Sequence, residues 1–453
     1  MSNGLSRRLS RVTQSVPTIE RSPEYSDDAI ALKVAERFEG DFLYVASWKQ
    51  WLRWDGHRYR VDDTLKVFDS VRGVARSIAN GCNDPRQAKA IAGATTIAGV
   101  ERLARSDPRL SASAFEFDVD PMKMNTPDGI IDLETGGCQP SRREDRVTKV
   151  TAAGLGDHCP RWRQFLCEIT DGDDELQGYL ARVFGYALTG SVRENAFFFC
   201  YGLGANGKTV LIETMAKVLG DYALPAPIEM FTLSKMQGHT TDIAGLQGAR
   251  MITASETEAG RALAEARIKL LTGGEKVSAR RMRADNTAFE PQFKLFLTGN
   301  HKPRISSNDE AIRRRIHLVP FTTTIPPWQR DQRLPEKLID EWPGILGWAV
   351  QGCLDWQRQG LNPPGCVREA TDDYLNAEDV VLGWLSSCVE FDPNATASTQ
   401  ELFGSWGRFA EAAQEPIGPQ KEFVKALRGK NLILDHTRNG NRWIGLRLKE
   451  KAQ

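Results

Sequence analysis

Eight consecutive residues, Gly202-Leu203-Gly204-Ala205-Asn206-Gly207-Lys208-Thr209, carry the spacing of a phosphate-binding loop. A strand must turn abruptly into a helix there while its backbone N–H groups converge on a phosphate, and glycines permit that close approach. Lys208 would reach the β- and γ-phosphate oxygens as a point charge, and Thr209 would offer its hydroxyl to Mg²⁺. The expected ligand is a nucleoside triphosphate, held by the backbone and side chains from Gly202 to Thr209.

Hydrolysis needs more than a cradle. An acidic group at the tip of a neighbouring strand must hold Mg²⁺ or polarise the attacking water, and Met251-Ile252-Thr253-Ala254-Ser255-Glu256 supplies one. Glu256 is the first choice for that carboxylate, with Glu258 its rival one step further along. A third strand, Phe293 to Thr298, ends in Gly299-Asn300, where an amide can hydrogen-bond the γ-phosphate or the water. Arg313, Arg314 and Arg315 are consecutive, and a guanidinium inserted into a neighbouring subunit's site would stabilise transition-state charge. Three adjacent arginines cannot all point one way; Arg315, then Arg314, is the expected finger.

Charge is distributed locally. Lys plus Arg equals Asp plus Glu at 59 each, so the whole chain is not basic and any nucleic-acid surface must be a patch. Residues 261–315 hold thirteen basic residues against six acidic. Within them Lys276, Arg280, Arg281 and Arg283 follow a Gly-Gly break and fit a protruding hairpin that grips phosphate backbone. Residues 421–449 hold eight basic against two acidic, with Lys421, Lys425, Arg428 and Arg442 as the expected DNA contacts. Asp118 and Asp120 could pass for a metal pair, but no further acidic or histidine set accompanies them, so they read as structural.

The elements that must position these groups are partly visible. Ala196 to Tyr201 is the most apolar run of the chain and reads as a buried strand. Leu211, Met215, Val218 and Leu219 then share one helical face, and Gly220 stops it. Ahead of the loop, Pro160 marks a boundary before two helical stretches, Trp162 to Ile169 and Asp174 to Thr189. The C-terminal end reads as helix Thr399 to Ala413, helix Gln420 to Arg428 behind Pro419, and a hairpin about Asn439-Gly440, the order of a winged helix. Near the N-terminus, Phe42 to Val45, Trp48 to Trp54 and His57 to Arg60 read as a hairpin around Asp55-Gly56 whose aromatics could stack on bases but are expected to fill a small β core.

At 453 residues two to four domains are expected. The reading is α/β: a P-loop NTPase core over 160–325, a small α+β domain over 29–155 behind a tail of residues 1–28, a helical connector over 326–370, and a winged helix over 371–453. The eight cysteines form no C-x-x-C pair, and no leader or membrane span is evident, which fits a cytoplasmic protein.

FFFCYGLGANGKT, ARMITASETE, IKLLTGGEKVSARRM, FKLFLTGNHKP and AIRRRIHLVPF, in that order, resemble the superfamily 3 helicases of phage, plasmid and poxvirus primase-helicases. WLRWDGHRYR and NTPDGIIDLETG resemble the region preceding that helicase core. The resemblance implies an AAA+ core that assembles as a ring, usually a hexamer, with ATP and Mg²⁺ at subunit interfaces and single-stranded DNA in the channel, moving 3′ to 5′ at a fork. By it, Gly202, Gly207, Lys208 and Thr209 bind ATP and Mg²⁺, Glu256 is the catalytic acid and second metal contact, Asn300 the sensor, and Arg314 or Arg315 the finger. Two departures stand out: Ser255 replaces the first acid of the pair many relatives carry, and Glu275 replaces an aspartate. The polymerase domain of fused primase-helicases is not seen, so priming would fall to a separate primase. An ATP-dependent helicase of a phage, plasmid or prophage in a bacterial cell is expected; the alternative is an initiator that uses ATP only as an assembly switch. A metabolic P-loop kinase is disfavoured by the basic hairpin.

Overall fold

The computed structural model describes residues 23–233, 243–255, 262–280, 286–303, 305, 310–377, 380–413, 417–430, 432–437 and 440–449. The chain divides into two units, one ending at Val119 but reclaiming Arg142–Thr148, the other comprising Asp120–Ser141 and everything from Lys149 onward.

In the first unit, helices Asp27–Phe38, Lys66–Asn80, Pro85–Ile91 and Ala94–Ala104 accompany a four-stranded sheet. Ser26 starts the first helix by accepting a hydrogen bond from the Ala29 N–H at 3.1 Å. The sheet pairs Phe42–Val45 with Gln50–Trp54, which pairs in turn with Tyr59–Val61. Its aromatics go inward as expected: Tyr59 is buried, with Trp54 at 5.2 Å and Phe117 at 6.0 Å between ring centres. Asp118 accepts from the Thr148 backbone and hydroxyl, which gives it the structural role its lack of partners suggested.

The second unit does not begin near residue 155. Residues 125–137, expected in the N-terminal domain, belong instead to a hairpin of Lys123–Thr126 and Gly129–Asp132 that shares a core with the five-stranded parallel sheet of this unit. Met124, Ile131 and Leu133 enter its core, and the Asn125 N–H donates to the Tyr222 hydroxyl at 3.1 Å. So few apolar residues, flanked by turn signals on both sides, do not reveal which core they join.

Two helices follow, α1 (Pro160–Thr170) and α2 (Asp174–Leu188). Then come strand β1 (Phe197–Tyr201), helix α3 (Lys208–Leu219), and strands β2 (Ala223–Pro225) and β3 (Met251–Ser255). Helix α4 (Glu265–Thr272) leads to a separate hairpin of Val277–Arg280 and Asn286–Phe289, after which β4 (Lys294–Gly299) and β5 (Ile316–Pro320) complete the sheet. Every neighbouring pair is parallel, and the strand order is β5-β1-β4-β3-β2.

Helix α5 (Trp342–Gln359) packs against α2, and α6 (Gly365–Ala377) against β5. Both faces of the sheet are therefore covered, which is why its strands read as continuous apolar runs. Phe198 and Phe296 face α2, while Phe197, Phe199, Leu295 and Leu297 face the opposite core, which includes Tyr374 of α6. Each buried phenylalanine contributes about 2–3 kcal/mol of transfer free energy.

The C-terminal part comprises α7 (Val380–Cys388), β6 (Val389–Ser398), α8 (Thr399–Ala412), α9 (Gln420–Gly429), β7 (Ile433–Thr437) and β8 (Gly440–Leu448). Its antiparallel sheet runs β6-β8-β7. Ser398 caps α8 in a reciprocal capping box with Glu401. Helices α8 and α9 and the final hairpin match the sequence reading. Helix α7 and strand β6 were not foreseen, because VEFDPNATAS carries proline, asparagine and little alternation.

Candidate active site

Strand β1 delivers the chain to residues 202–207, and α3 leaves from them. Gly204, Ala205 and Gly207 all take positive φ, at 99°, 50° and 80°. A Cβ on Gly207 would stand 2.3 Å from Ile169 Cγ2 of α1, so this position requires glycine on both steric and conformational grounds. Gly207 is also the N-cap of α3 and offers no side chain, so the first N–H groups of the helix keep no side-chain cap. Such an end favours an anion.

The loop is braced from behind. The Asn206 amide nitrogen, buried, donates to the Phe321 carbonyl at 2.9 Å, and the Ile325 N–H donates to the Ala205 carbonyl at 2.8 Å. The segment after β5 thus straps the loop to the sheet. Spacing alone gave no sign of this, because a loop asparagine has no periodicity to betray its partner.

Lys208 is 5% exposed, and its Nζ donates to the Gly202 carbonyl at 2.8 Å and to Asn300 Oδ1 at 2.9 Å. Burial holds its ammonium below the ordinary lysine range. Burial likewise pushes the Cys200 thiol, next to last in β1, up to about 12. Both partners of Lys208 are neutral oxygens, so an anion entering here would meet a cation with no counter-charge bonded to it.

A cleft of about 380 Å³ opens in front, lined by Gly204 to Val210 on one side and by Ser255, Thr298, Gly299 and Asn300 on the other. Ser255 Oγ and Thr298 Oγ1 lie 2.9 Å apart across the tips of β3 and β4. Ser255, which stands where the resemblance leads one to expect an acid, thus meets a hydroxyl of the neighbouring strand. Lys208, Thr209, Ser255 and Asn300 are therefore brought together, while Glu256 and Glu258 lie outside the described residues.

The arginines sit elsewhere. The Arg315 carbonyl accepts from the Phe197 N–H at 2.8 Å, at the start of β1, whereas the loop follows its end. Five strand residues, about 16 Å, separate the two levels. One Arg315 nitrogen donates to its own Ala311 carbonyl at 2.8 Å, while Nε is buried with no hydrogen-bond partner. Arg314 is exposed. Neither belongs to the cleft of its own chain.

Of the expected hairpin contacts, Lys276 is exposed and faces Glu290 at 3.8 Å across the hairpin base. Arg280 ends the first hairpin strand and pairs in register with Asn286, and Arg281 and Arg283 lie outside the described residues. In the C-terminal part, Lys421, Lys425 and Arg428 share the exposed side of α9, with Phe423 and Leu427 buried on the other. Arg442 is exposed on β8 and donates to Thr396 Oγ1 at 3.1 Å.

Comparison with known proteins adds a family context. Residues 31–171 match the family described as D5 N terminal like, and residues 200–315 match a family of unknown function, DUF5906. The chain is similar to a candidate helicase, L207/L206, of Acanthamoeba polyphaga mimivirus, at 28% identity over 46% of this chain and 24% of that protein. It is also similar to the candidate helicase 022R of Frog virus 3, at 25% identity over 67% of this chain and 33% of that one. The chain thus spans between a quarter and a third of these curated relatives. Among solved structures, the apo NrS-1 C terminal region superposes with a TM-score of 0.53 at 10% identity, covering 94% of this chain and all of that one. A second form superposes at 0.50 and 11% identity, over 79% and 76% of the two chains. At such identities the likeness is one of fold.

Proposed function

We propose an ATP-driven DNA helicase as the function, because the chain belongs to the D5-like primase-helicase family of superfamily 3 and a braced glycine-rich loop with a buried lysine opens α3. The observation that carries the reading is the Lys208 ammonium, bonded at once to the loop carbonyl of Gly202 and to the amide of Asn300 on the adjacent strand. A γ-phosphate that takes the ammonium from Asn300 releases that amide to hold phosphate or water. One side chain thereby reports which nucleotide is bound.

The parallel order β5-β1-β4-β3-β2 supports an AAA+ core, and the order α7-β6-α8-α9-β7-β8 supports a winged helix with α9 as its recognition helix. Thr209, near the Ser255–Thr298 hydroxyl pair, would hold Mg²⁺ with Glu256 as the second proposed ligand, and the ion would supply neutralisation of phosphate charge. Glu256 is the proposed catalytic acid. In a ring, proposed as a hexamer, the arginines lie at the far end of the sheet from their own cleft, which suits a finger for the neighbouring subunit. Exposure supports Arg314 ahead of Arg315.

Lys276 and the basic hairpin would then grip single-stranded DNA, and Lys421, Lys425, Arg428 and Arg442 would hold the duplex near the fork. The test is ATP hydrolysis with and without single-stranded DNA. The reading expects DNA to raise kcat and Lys208→Ala to abolish turnover; phosphoryl transfer to a small molecule, indifferent to DNA, would overturn it.

A further inference from the structure

The loop after β4 carries a cation that hydrolysis as described above does not use. Lys302 is two residues beyond Asn300, and its ammonium lies 4.8 Å from the ring centre of Tyr201 and 5.7 Å from that of Tyr374. Tyr201 is the last residue of β1, directly ahead of Gly202. Tyr374 is buried on α6, and its hydroxyl donates to the carbonyl of Pro303, the residue after Lys302. Ring faces attract an ammonium electrostatically, so both tyrosines help hold the lysine.

Helix α6 is itself tied to the sheet. The Leu318 N–H, on the edge strand β5, donates to Thr371 Oγ1 at 3.0 Å, and Arg313 donates to the Leu375 carbonyl at 3.5 Å. Residues 300–303 are therefore gripped by the strand that feeds the phosphate loop and by a helix anchored to β5. Asn300 must keep its amide within about 0.5 Å of a productive position to exchange Lys208 for phosphate or water. The Asn300 side chain's bond to Lys208 is the one a phosphate would displace, so it does not fix the backbone from which the amide projects; the anchor is two residues away.

We propose that Lys302 is a positioning residue for Asn300, and that α6, through Tyr374, sets where that amide stands. This rests on the ATPase reading of the cleft. Electrostatic preorganisation predicts a loss in turnover more than in binding, since the ground-state phosphate is held by the loop itself.

The experiment measures kcat and KM for ATP in the full chain. For Lys302→Met, kcat is expected to fall roughly tenfold with KM within about twofold. Lys302→Arg should restore most of the loss, because a guanidinium stacks on the same rings. Tyr374→Phe, which keeps the ring and the packing but releases the Pro303 carbonyl, should lower kcat by roughly threefold. Unchanged kcat in Lys302→Met or Tyr374→Phe, an equal loss in the arginine and methionine variants, or a change in KM alone would overturn the proposal while leaving the ATPase reading intact. A wild-type protein that hydrolyses no ATP would overturn both.

Discussion

Lys208 Nζ lies 2.9 Å from Asn300 Oδ1, so the cation at the start of α3 and the amide at the tip of β4 hold each other across the cleft. Each would have to let go for a γ-phosphate to enter. Removing either should therefore act on the chemical step. Lys208→Ala is expected to cost at least 100-fold in kcat, and Asn300→Ala about 100-fold with KM for ATP altered less than threefold, both read from steady-state hydrolysis. Equal losses in KM and kcat/KM for Asn300→Ala, with kcat intact, would mean that the amide only binds.

Lysine chemistry makes nucleotide binding depend on pH. Burial lowers the Lys208 pKa below its ordinary 10.5, and a bound phosphate favours the charged form. Affinity should thus be full below the lowered pKa and fall as pH rises through it, before 10.5 is reached. Titration calorimetry with ADP along the alkaline limb checks this. In Lys208→Arg, whose guanidinium stays charged, that decline should disappear.

Gly207 combines a φ of 80° with an added Cβ that would press on Ile169. Gly207→Ala should destabilise the protein by about 1–3 kcal/mol and widen the loop, weakening nucleotide binding. Chemical denaturation and nucleotide titration report the two effects separately. An unchanged affinity would show that α1 yields instead of the loop.

Arg314 and Lys208 should complement each other across subunits. Arg314→Ala keeps its phosphate loop and Lys208→Ala keeps its finger, so mixing two inactive proteins should restore part of the hydrolysis at interfaces that pair one good half from each. Persistent inactivity of the mixture, with mixed assemblies verified, would place the arginine's effect within its own chain.

Lys421, Lys425 and Arg428 share the exposed side of α9. Replacing all three with alanine should reduce the magnitude of the salt dependence of DNA binding, the slope of log K against log salt, by about 2–3. Fluorescence anisotropy at several salt concentrations measures it. An unchanged slope would move the DNA contact to another surface.

The site was legible where chemistry dictates spacing. Gly204 to Thr209 stand in the register a phosphate-binding loop would demand and Asn300 at a strand tip, and the structure lines one cleft with them. What the spacing could not show is which distant residues brace the cradle. Asn206 finds the Phe321 carbonyl 115 positions away, and Ser255 meets Thr298 only because β3 and β4 are neighbours in the sheet. The same holds for the fold. Long apolar strands were plain, whereas β2, three residues at the sheet edge, and β6, interrupted by proline and asparagine, left little period to read.

Strand displacement on a forked duplex tests the central claim most directly. With ATP and Mg²⁺ the wild-type chain should release the labelled strand, and Lys208→Ala should release none under the same conditions. DNA-stimulated ATP hydrolysis with no strand released at any protein concentration would contradict the helicase reading and leave a nucleotide-switched DNA-binding protein in its place.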